Sequence, residues 1–398
     1  MLVASALPAP ASLLEYLPEE WERLMHEWGQ PAYRAKQIFG WLHRKGIFEP
    51  DRMSNLPPPV RERLREQGLK SPLSLERAHA GEDETSKLLF RLDDGQAIES
   101  VLMPHAASGS PGAVTLCVSS QVGCAMGCVF CASGLSGLKR QLAAAEILGQ
   151  VLCAPAAGAS GGRLRRRGAG SGGMDRNRSG EVVLPRRPRG LVFMGMGEPL
   201  HNYGNLARAL LLLTHPEGMA FPFRAMTVST SGLAPEIRRL GRDFEGRVQL
   251  AVSLHAADDE TRSRLVPLNR RYPIEVLVEA MRSYPVPRRG HLTVEYTLIK
   301  GTNASLSDAR RLARLLRGMR VRVNLIPMNP VEGSRLRAPD QGSIARFQNE
   351  LRSAGLRVFV RRRRGDRVAA ACGQLALRPE LQRLTSPRAL QAQHPLEG

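Results

Sequence analysis

Apolar residues recur at helical spacing through the first seventy residues of the chain. The segments WERLMHEWG, YRAKQIFGWLHRKG and PPPVRERLREQG each place apolar side chains three and four positions apart, with Gly or Pro at the breaks. This pattern predicts a small helical N-terminal domain over residues 1–80.

The hydrophobic pattern changes near residue 84 to short alternating runs. The segments TSKLLFRLDDG and QAIESVLMP have the period of strands and meet at an Asp-Asp-Gly turn. We therefore expect a strand pair over residues 81–112 that links the helical region to the larger C-terminal part of the chain.

Beyond residue 113, short β-rich runs alternate with segments of helix length. The runs are VTLCVSS, LVFMG, AMTVSTSG, VQLAVSLH, HLTVEYTLI and VRVNLIPM. Six strands alternating with helices predict a parallel α/β domain over residues 113–376, whereas periodicity does not distinguish a full barrel, a partial barrel and an open sheet. In each of these architectures the ligand binds at the carboxyl ends of the strands.

Two segments fall outside this alternation. Residues 154–190 are rich in Gly, Ser and Arg without a hydrophobic face, which predicts a disordered basic insertion. Residues 377–398 carry no motif and are expected to form a C-terminal tail.

Charge indicates the kind of partner. The chain has 57 Lys and Arg against 37 Asp and Glu, a net charge of +20, which favours nucleic acid over an anionic membrane surface. No run approaches the roughly 18 apolar residues of a spanning helix, and no basic residue precedes the first apolar stretch. We expect a cytoplasmic protein that does not bind membranes.

The cysteines indicate a metal site. Cys124, Cys128 and Cys131 form a CxxxCxxC motif directly after the first run of the α/β domain. Three cysteines on a four-iron cluster leave one iron open to a small molecule. The alternative is structural zinc, held by the same three cysteines and a distant histidine.

Polar residues follow the other strands where the ligand is expected. Gly197 permits close backbone approach, Glu198 can accept from an ammonium group, and the remaining side chains are neutral donors and acceptors. The set comprises Gly197, Glu198, Ser229, Ser253, His255 and Asn329.

Several motifs together resemble the RlmN/Cfr family of radical S-adenosylmethionine RNA methyltransferases. They are CVSSQVGCAMGCVFC, GMGEPLHN, STSG, SLHA, VNLIPMNP and AACGQL, in the family's order. Val122, in place of a cysteine, makes the chain closer to the RlmN branch. Ser133 and Met328 depart from the family's usual Thr and Trp.

The resemblance implies a radical SAM-type partial (β/α)6 barrel with a helical N-terminal domain that assists RNA binding. It implies a [4Fe-4S] cluster on Cys124, Cys128 and Cys131. It assigns S-adenosylmethionine, two molecules per methylation, to Gly197, Glu198, Ser229, Ser253, Leu254, His255 and Asn329.

The resemblance also implies a mechanism. A first S-adenosylmethionine methylates Cys372, and a radical from a second abstracts hydrogen from that methyl group, so that the carbon adds to adenine. Cys117 then forms a disulfide with Cys372 and releases the base, while Glu99 takes the proton from the ring carbon.

The implied reaction is methylation of adenosine C2 in the peptidyl-transferase region of 23S rRNA and in tRNA anticodon loops, with flavodoxin or ferredoxin as electron donor. Two alternatives remain from the sequence. One is Cfr-like methylation of C8 in 23S rRNA, and the other is a non-enzymatic, zinc-containing ribosome-binding protein.

Overall fold

The computed structural model describes residues 7–81, 83, 85–104, 114–154, 188–331, 334–361 and 371–375. The predicted insertion at 154–190 lies outside the described residues except at its two ends. The predicted C-terminal tail lies wholly outside them.

Three α-helices form the described N-terminal region, as the sequence predicts. They are α1 (Pro18–Glu27), α2 (Tyr33–Phe39), which continues as a π-helical turn over Gly40–Arg44, and α3 (Pro58–Glu66). Proline in the first turn suits α1 and α3, because the first turn leaves its N–H groups without helical partners.

The main sheet begins with an antiparallel meander. Its strands are β1 (Ser74–Ala80), β2 (Ser86–Arg91), β3 (Ala97–Pro104) and β4 (Val114–Cys117). β2 and β3 are the predicted strand pair, joined through the Asp-Asp-Gly turn. β1 is an addition to the prediction, because SLERAHA alternates too weakly to be recognised as a strand.

A separate two-stranded ribbon follows β4 and carries the cysteine segment. β5 (Gln121–Gly123) pairs antiparallel with β6 (Leu138–Gln141), and the short helix α4 (Ala132–Leu135) lies between them. The hydrophobic pattern predicts neither a strand nor a helix in this stretch.

The remaining strands continue the main sheet in parallel and in chain order. From β4 they are β7 (Gly190–Phe193), β8 (Met226–Thr230), β9 (Gln249–Ser253), β10 (Leu292–Leu298), β11 (Val321–Pro327) and β12 (Arg357–Val360). All six β-rich runs beyond residue 113 form strands, and the later run RVFV supplies β12.

Helices cover the outer face of the parallel strands. They are α5 (Ala144–Cys153), α6 (Tyr203–Thr214), α7 (Ala234–Phe244), α8 (Asp259–Leu265), α9 (Ile274–Ser283), α10 (Leu306–Leu315) and α11 (Gln341–Ser353). Within the described chain, β1 and β12 are the unpaired edges of the ten-stranded sheet. The expected partial barrel is confirmed.

The N-terminal helices pack against the barrel through a buried arginine. Arg208 of α6 donates to Glu20 Oε2 at 2.8 Å, to the Glu15 carbonyl at 2.9 Å and to the Pro8 carbonyl at 2.7 Å. Its side chain is only 3% exposed, so these three acceptors replace water. The division into separate domains stays a prediction.

Among the described residues, no helix is both long enough and apolar enough to span a bilayer.

Candidate active site

A cleft opens where the parallel strands end, at the edge that the fold class predicts. Most of the predicted site residues line it: Cys124, Cys128, Cys131, Gly197, Glu198, Ser229, Ser253, His255, Asn329 and Cys372. The structure therefore brings together residues that are almost 250 positions apart in the sequence.

The cysteine segment is held by a tight hairpin. Gly123 has a φ of +78°, and a Cβ there would lie 1.9 Å from the Gly137 carbonyl oxygen. The Cys124 N–H donates to the same oxygen at 2.9 Å. Only glycine permits this approach, which explains why the first cysteine follows a glycine.

The three cysteine thiols lie in surroundings that disfavour their charged forms. Burial is the main cause in each case, and it raises the pKa of Cys124 to about 12. The thiols of Cys128 and Cys131 have raised pKa values for the same reason, and Cys128 is affected further by the other two thiols. A cationic metal centre supplies the positive charge that three buried thiolates require.

The arrangement of the thiols bears on the zinc alternative. Among the described residues, no three His, Cys, Asp or Glu side chains are grouped so that they could hold one metal ion. A structural zinc needs four ligands converging on a single centre, whereas each cysteine of a four-iron cluster binds a different iron. Three cysteines at CxxxCxxC spacing supply the three protein ligands of a four-iron cluster with one open iron, one ligand fewer than a structural zinc requires.

Glu198 presents a carboxylate at the base of the cleft. Its Oε2 accepts from the Ser231 N–H and hydroxyl at 2.7 Å each, and its Oε1 accepts from the Leu200 N–H at 3.1 Å. The neighbouring Gly197 has a φ of +100°, and a Cβ there would lie 2.5 Å from Gln121 Cβ. Burial raises the pKa of Glu198, although these hydrogen bonds oppose the shift.

His255 has a backbone conformation that few residues other than glycine adopt, with a φ of +60°. Its Nδ1 accepts from the Thr297 N–H at 3.0 Å, and its ring meets Phe130 edge-on at 4.6 Å. Burial lowers the pKa of His255 to about 3, with a further contribution from Arg262. The imidazole is therefore neutral and held in one orientation.

Arg262, which no sequence motif indicates, fixes the ends of β8 and β9. Its guanidinium is fully buried and donates to the carbonyls of Leu254 at 3.0 Å and Ser231 at 2.6 Å, and to Asn269 Oδ1 at 2.8 Å. Burial lowers its pKa to about 10. It lies on the short helix α8, which has too few residues to show a periodic signal.

Cys372 lies at the rim of the cleft on a segment anchored to the cysteine hairpin. The Ala132 N–H donates to the Gly373 carbonyl at 2.8 Å, and the Ser133 hydroxyl donates to the Leu375 carbonyl. Asn329 Nδ2 donates to the Cys372 carbonyl at 3.0 Å. The buried Asn329 Oδ1 has no hydrogen-bond partner among the described residues and can accept from a ligand.

Cys117 and Cys372 share a charged neighbour, Arg361. Arg361 lowers the pKa of both thiols, but burial outweighs it and raises both pKa values, that of Cys117 to about 12. Arg361 is itself paired with Glu295, whose Oε1 lies 2.8 Å from Nη2, and Asn324 Nδ2 donates to the same oxygen at 2.9 Å.

Arg361 and Glu295 form an ion pair beside the cleft, and the sequence motifs include neither of them. A carboxylate inside the apolar run HLTVEYTLI is the available signal, because buried acids are rare without a partner. Glu295 also lines the cleft.

Three predicted site residues are absent from the lining of the cleft. Leu254 is buried, and its N–H donates to the Glu295 carbonyl at 3.0 Å. Cys117 lies buried at the end of β4. Glu99 is buried on β3 and forms an ion pair with Lys87 at 2.8 Å. All six cysteines are free thiols.

Comparison with known proteins supports this description. The model of the ribosomal RNA large subunit methyltransferase N-terminal domain matches residues 11–68. The chain is 49% identical to a dual-specificity RNA methyltransferase RlmN of Sorangium cellulosum, with 91% of this chain and 94% of the relative covered. A second such protein, from Geobacter sulfurreducens, is 43% identical, with 90% and 89% covered.

A solved structure agrees in fold. The radical SAM methyltransferase from Sphaerobacter thermophilus superposes with a TM-score of 0.80 and 42% identity, over 92% of this chain and 99% of that one. Fold and cleft together thus define a radical SAM methyltransferase. With identities of 43–49% over about nine-tenths of its length, the chain belongs to the RlmN family of dual-specificity RNA methyltransferases.

Proposed function

We propose that this enzyme methylates C2 of adenosine in the peptidyl-transferase region of 23S rRNA and in tRNA anticodon loops, with Cys372 carrying the methyl group. The observation that carries the proposal is the position of Cys372. It shares one cleft with the three clustered cysteines and Glu198, and its charge interacts with Cys117.

The cofactors in this proposal are a [4Fe-4S] cluster on Cys124, Cys128 and Cys131 and two molecules of S-adenosylmethionine per methylation. Bound together, they supply a reductive cleavage that generates a hydrogen-abstracting radical. The electron comes from a flavodoxin or ferredoxin, and the reaction takes place in the cytoplasm.

The residues around the cleft have distinct tasks in cofactor binding. The carboxylate of Glu198 accepts from the ammonium group of S-adenosylmethionine. Ser229, Ser253 and the unsatisfied Asn329 Oδ1 bind its polar groups. Neutral His255 and the backbone at Gly197 and Leu254 shape the same pocket, with the strand ends held in place by Arg262.

Two thiols divide the remaining chemistry between them. Cys372, accessible at the rim, receives a methyl group and delivers its carbon to adenine. Cys117, which interacts electrostatically with Cys372, attacks the Cys372 sulfur as a thiolate and forms a disulfide. The carbon–sulfur bond breaks, and the carbon leaves with the bonding electrons and takes up a proton to become the methyl group of the base. Glu99, which is paired with Lys87, accepts the proton from C2.

Mass spectrometry of RNA treated with the reconstituted enzyme tests the reaction. We expect a 14-dalton increase on one adenosine, with the chromatographic retention of 2-methyladenosine. Retention matching 8-methyladenosine would assign the enzyme to C8 chemistry instead, and unmodified RNA in the presence of a reducible cluster would overturn the proposal.

The two thiol variants test the division of labour. Cys117→Ala should accumulate as a covalent RNA adduct on denaturing gels, because addition to adenine proceeds without resolution. Cys372→Ala should form no adduct and no product. Cys153→Ala is the matched control, because Cys153 ends α5 and its thiol contacts Ser71 Oγ at 3.5 Å, and it should turn over normally. Normal turnover of Cys117→Ala would contradict the assigned role.

A further inference from the structure

Phe359 is an aromatic side chain left exposed on the edge strand β12. It is 54% exposed, whereas most aromatic side chains of the described core are buried. One exposed apolar residue is ordinary on a protein surface. Its meaning depends on which face of the sheet it occupies and on what surrounds it.

The strand register places Phe359 on the inner face of the barrel. Glu295 lines the cleft, so its side of β10 faces inward, and Asn324 of β11 contacts its carboxylate. Phe359 is the in-register neighbour of Asn324 on β12. In-register neighbours in a parallel sheet share a face, so Phe359 lies on the cleft side. The preceding residue, Val358, lies on the opposite face and is part of the hydrophobic core.

Arginines surround this aromatic side chain. Arg357 precedes it by two residues and is exposed, Arg361 follows it by two, and Arg322 is the in-register neighbour of Arg357. Burial lowers the pKa of Arg322, Glu295 opposes this shift and Arg361 adds to it, so Arg361 and Arg322 interact electrostatically. Glu295 is the only carboxylate that an ion pair ties to these three arginines in the described chain.

An edge strand with one exposed aromatic ring beside three arginines, of which only Arg361 has an ion-pair partner among the described residues, fits an unpaired nucleotide. A base can stack on the exposed ring while arginines bind the adjoining phosphate, a combination typical of single-stranded nucleic-acid sites. Arg361 connects this place to Cys372, because its guanidinium also lowers the pKa of that thiol against the larger effect of burial. Phe359 and Arg361 are two positions apart in the strand, so their Cα atoms lie about 7 Å from each other.

We propose that Phe359, Arg357 and Arg322 form a binding site for a nucleotide that flanks the target adenosine, with its base stacked on Phe359. This site rests on the proposed RNA methylation and extends it from the reacting base to its neighbour. Nucleotides on either side of an extruded base are themselves partly unstacked, so they are available for such a contact.

Fluorescence of 2-aminopurine tests the site, since stacking on an aromatic ring quenches it. The probe is a hairpin RNA that the wild-type enzyme methylates, with 2-aminopurine placed in turn on the 5′ and 3′ side of the methylated adenosine. We expect quenching at one of these positions with the wild-type enzyme. Phe359→Ala should abolish the quenching at saturation and weaken binding about 5-fold or more, and Phe359→Trp should restore both.

Tyr33→Ala is the matched control. Tyr33 is also 54% exposed and also lies beside an arginine, with Arg34 at 4.8 Å from its ring, but it is on α2. This variant should leave the quenching at saturation unchanged. Thermal melting should show that both alanine variants fold, as expected for half-exposed side chains.

The outcomes distinguish failure of the proposed RNA methylation from failure of the nucleotide site at Phe359. Failure of the wild-type enzyme to methylate any hairpin or rRNA fragment would count against the proposed function. Methylation with equal quenching in wild type and Phe359→Ala would overturn the nucleotide site alone. If Phe359→Ala left RNA binding and quenching unchanged but lost binding to a protein partner, the surface would be reassigned to that partner.

Discussion

At the scale of single residues, two charged side chains influence the pKa of the Cys372 thiol in addition to burial. Arg361 lowers the pKa of Cys372, while Glu295 raises it, and the two side chains form an ion pair. Neither residue belongs to a motif that the sequence makes recognisable. Their importance arises from pairing between β10, β11 and β12, which no local pattern reveals.

Opposite effects are expected when these two charges are removed in turn. Arg361→Gln should slow alkylation of Cys372 by iodoacetamide at pH 8 about 10-fold, because thiolate formation becomes harder. Glu295→Gln should accelerate alkylation, and Arg361→Lys should keep part of the wild-type rate. Peptide mass spectrometry gives the rate for Cys372 separately, and a change of the same sign in both neutral variants would contradict the electrostatic explanation.

A second single-residue prediction concerns pH and the N-terminal helices. Burial, and to a smaller extent His215, lowers the pKa of His43 to about 3. The unfolded state therefore takes up its proton first, near pH 6.5. The contribution of neutral His43 to the free energy of unfolding is fully present above that pH. It is lost as the pH falls towards 3, by about 1.4 kcal/mol per pH unit.

Urea unfolding at pH 7 and pH 5 measures this effect. The wild type should lose more free energy of unfolding between the two pH values than His43→Phe, by about 2 kcal/mol. Phenylalanine is the appropriate replacement, because His43 stacks on Phe39 with ring centroids 4.1 Å apart. Equal losses in both proteins would show that His43 does not titrate as inferred.

At the scale of elements, hydrophobic runs predict the parallel strands and most of the helices. Strands buried on both faces, such as β10, form continuous apolar runs that stand out in the sequence. The ribbon of β5 and β6 and the short helices α4 and α8 escape prediction because tertiary contacts hold them. The hairpin depends on the contact of Gly123 with Gly137, fourteen residues along the chain.

Two glycines of this hairpin provide a matched pair of variants. Gly123→Ala should distort the ribbon and lower iron content after reconstitution severalfold, because its Cβ would overlap the Gly137 oxygen. Gly137→Ala has a similar φ of +68° but open space around the new Cβ, so it should cost only about 1 kcal/mol and retain iron. Equal iron content in the two variants would argue against steric control of the cluster segment.

At the scale of the whole molecule, the net charge and the family agree on an RNA substrate. The strand-end rule predicts which motif residues converge, and ten of the thirteen predicted site residues line the cleft. Cys117, Leu254 and Glu99 do not, because all three side chains are buried in the body of the protein next to the cleft strands. The net charge of +20 indicates the class of partner but not the location of its contacts.

Salt should weaken RNA binding strongly if several phosphates are neutralised. Between 50 and 200 mM salt, the association constant should fall about 10- to 100-fold, because bound counterions are released. Arg357→Gln should reduce the slope of log K against log salt by about 0.7 to 0.9. Arg238→Gln should leave it unchanged, because Arg238 is already paired with Glu279 at 3.0 Å; a slope near zero for the wild type would exclude extensive phosphate contact.

The hydrogen bonds from Ala132 and Ser133 to the Cys372 segment have a thermodynamic consequence. Two sites joined in this way are linked, so each must change the equilibrium of the other by the same factor. In the proposed mechanism, iron that orders the hairpin also orders Cys372, and methylation of Cys372 in return alters the affinity of the hairpin for iron. Iron supply would then set how much of the enzyme is competent for each half of the proposed cycle.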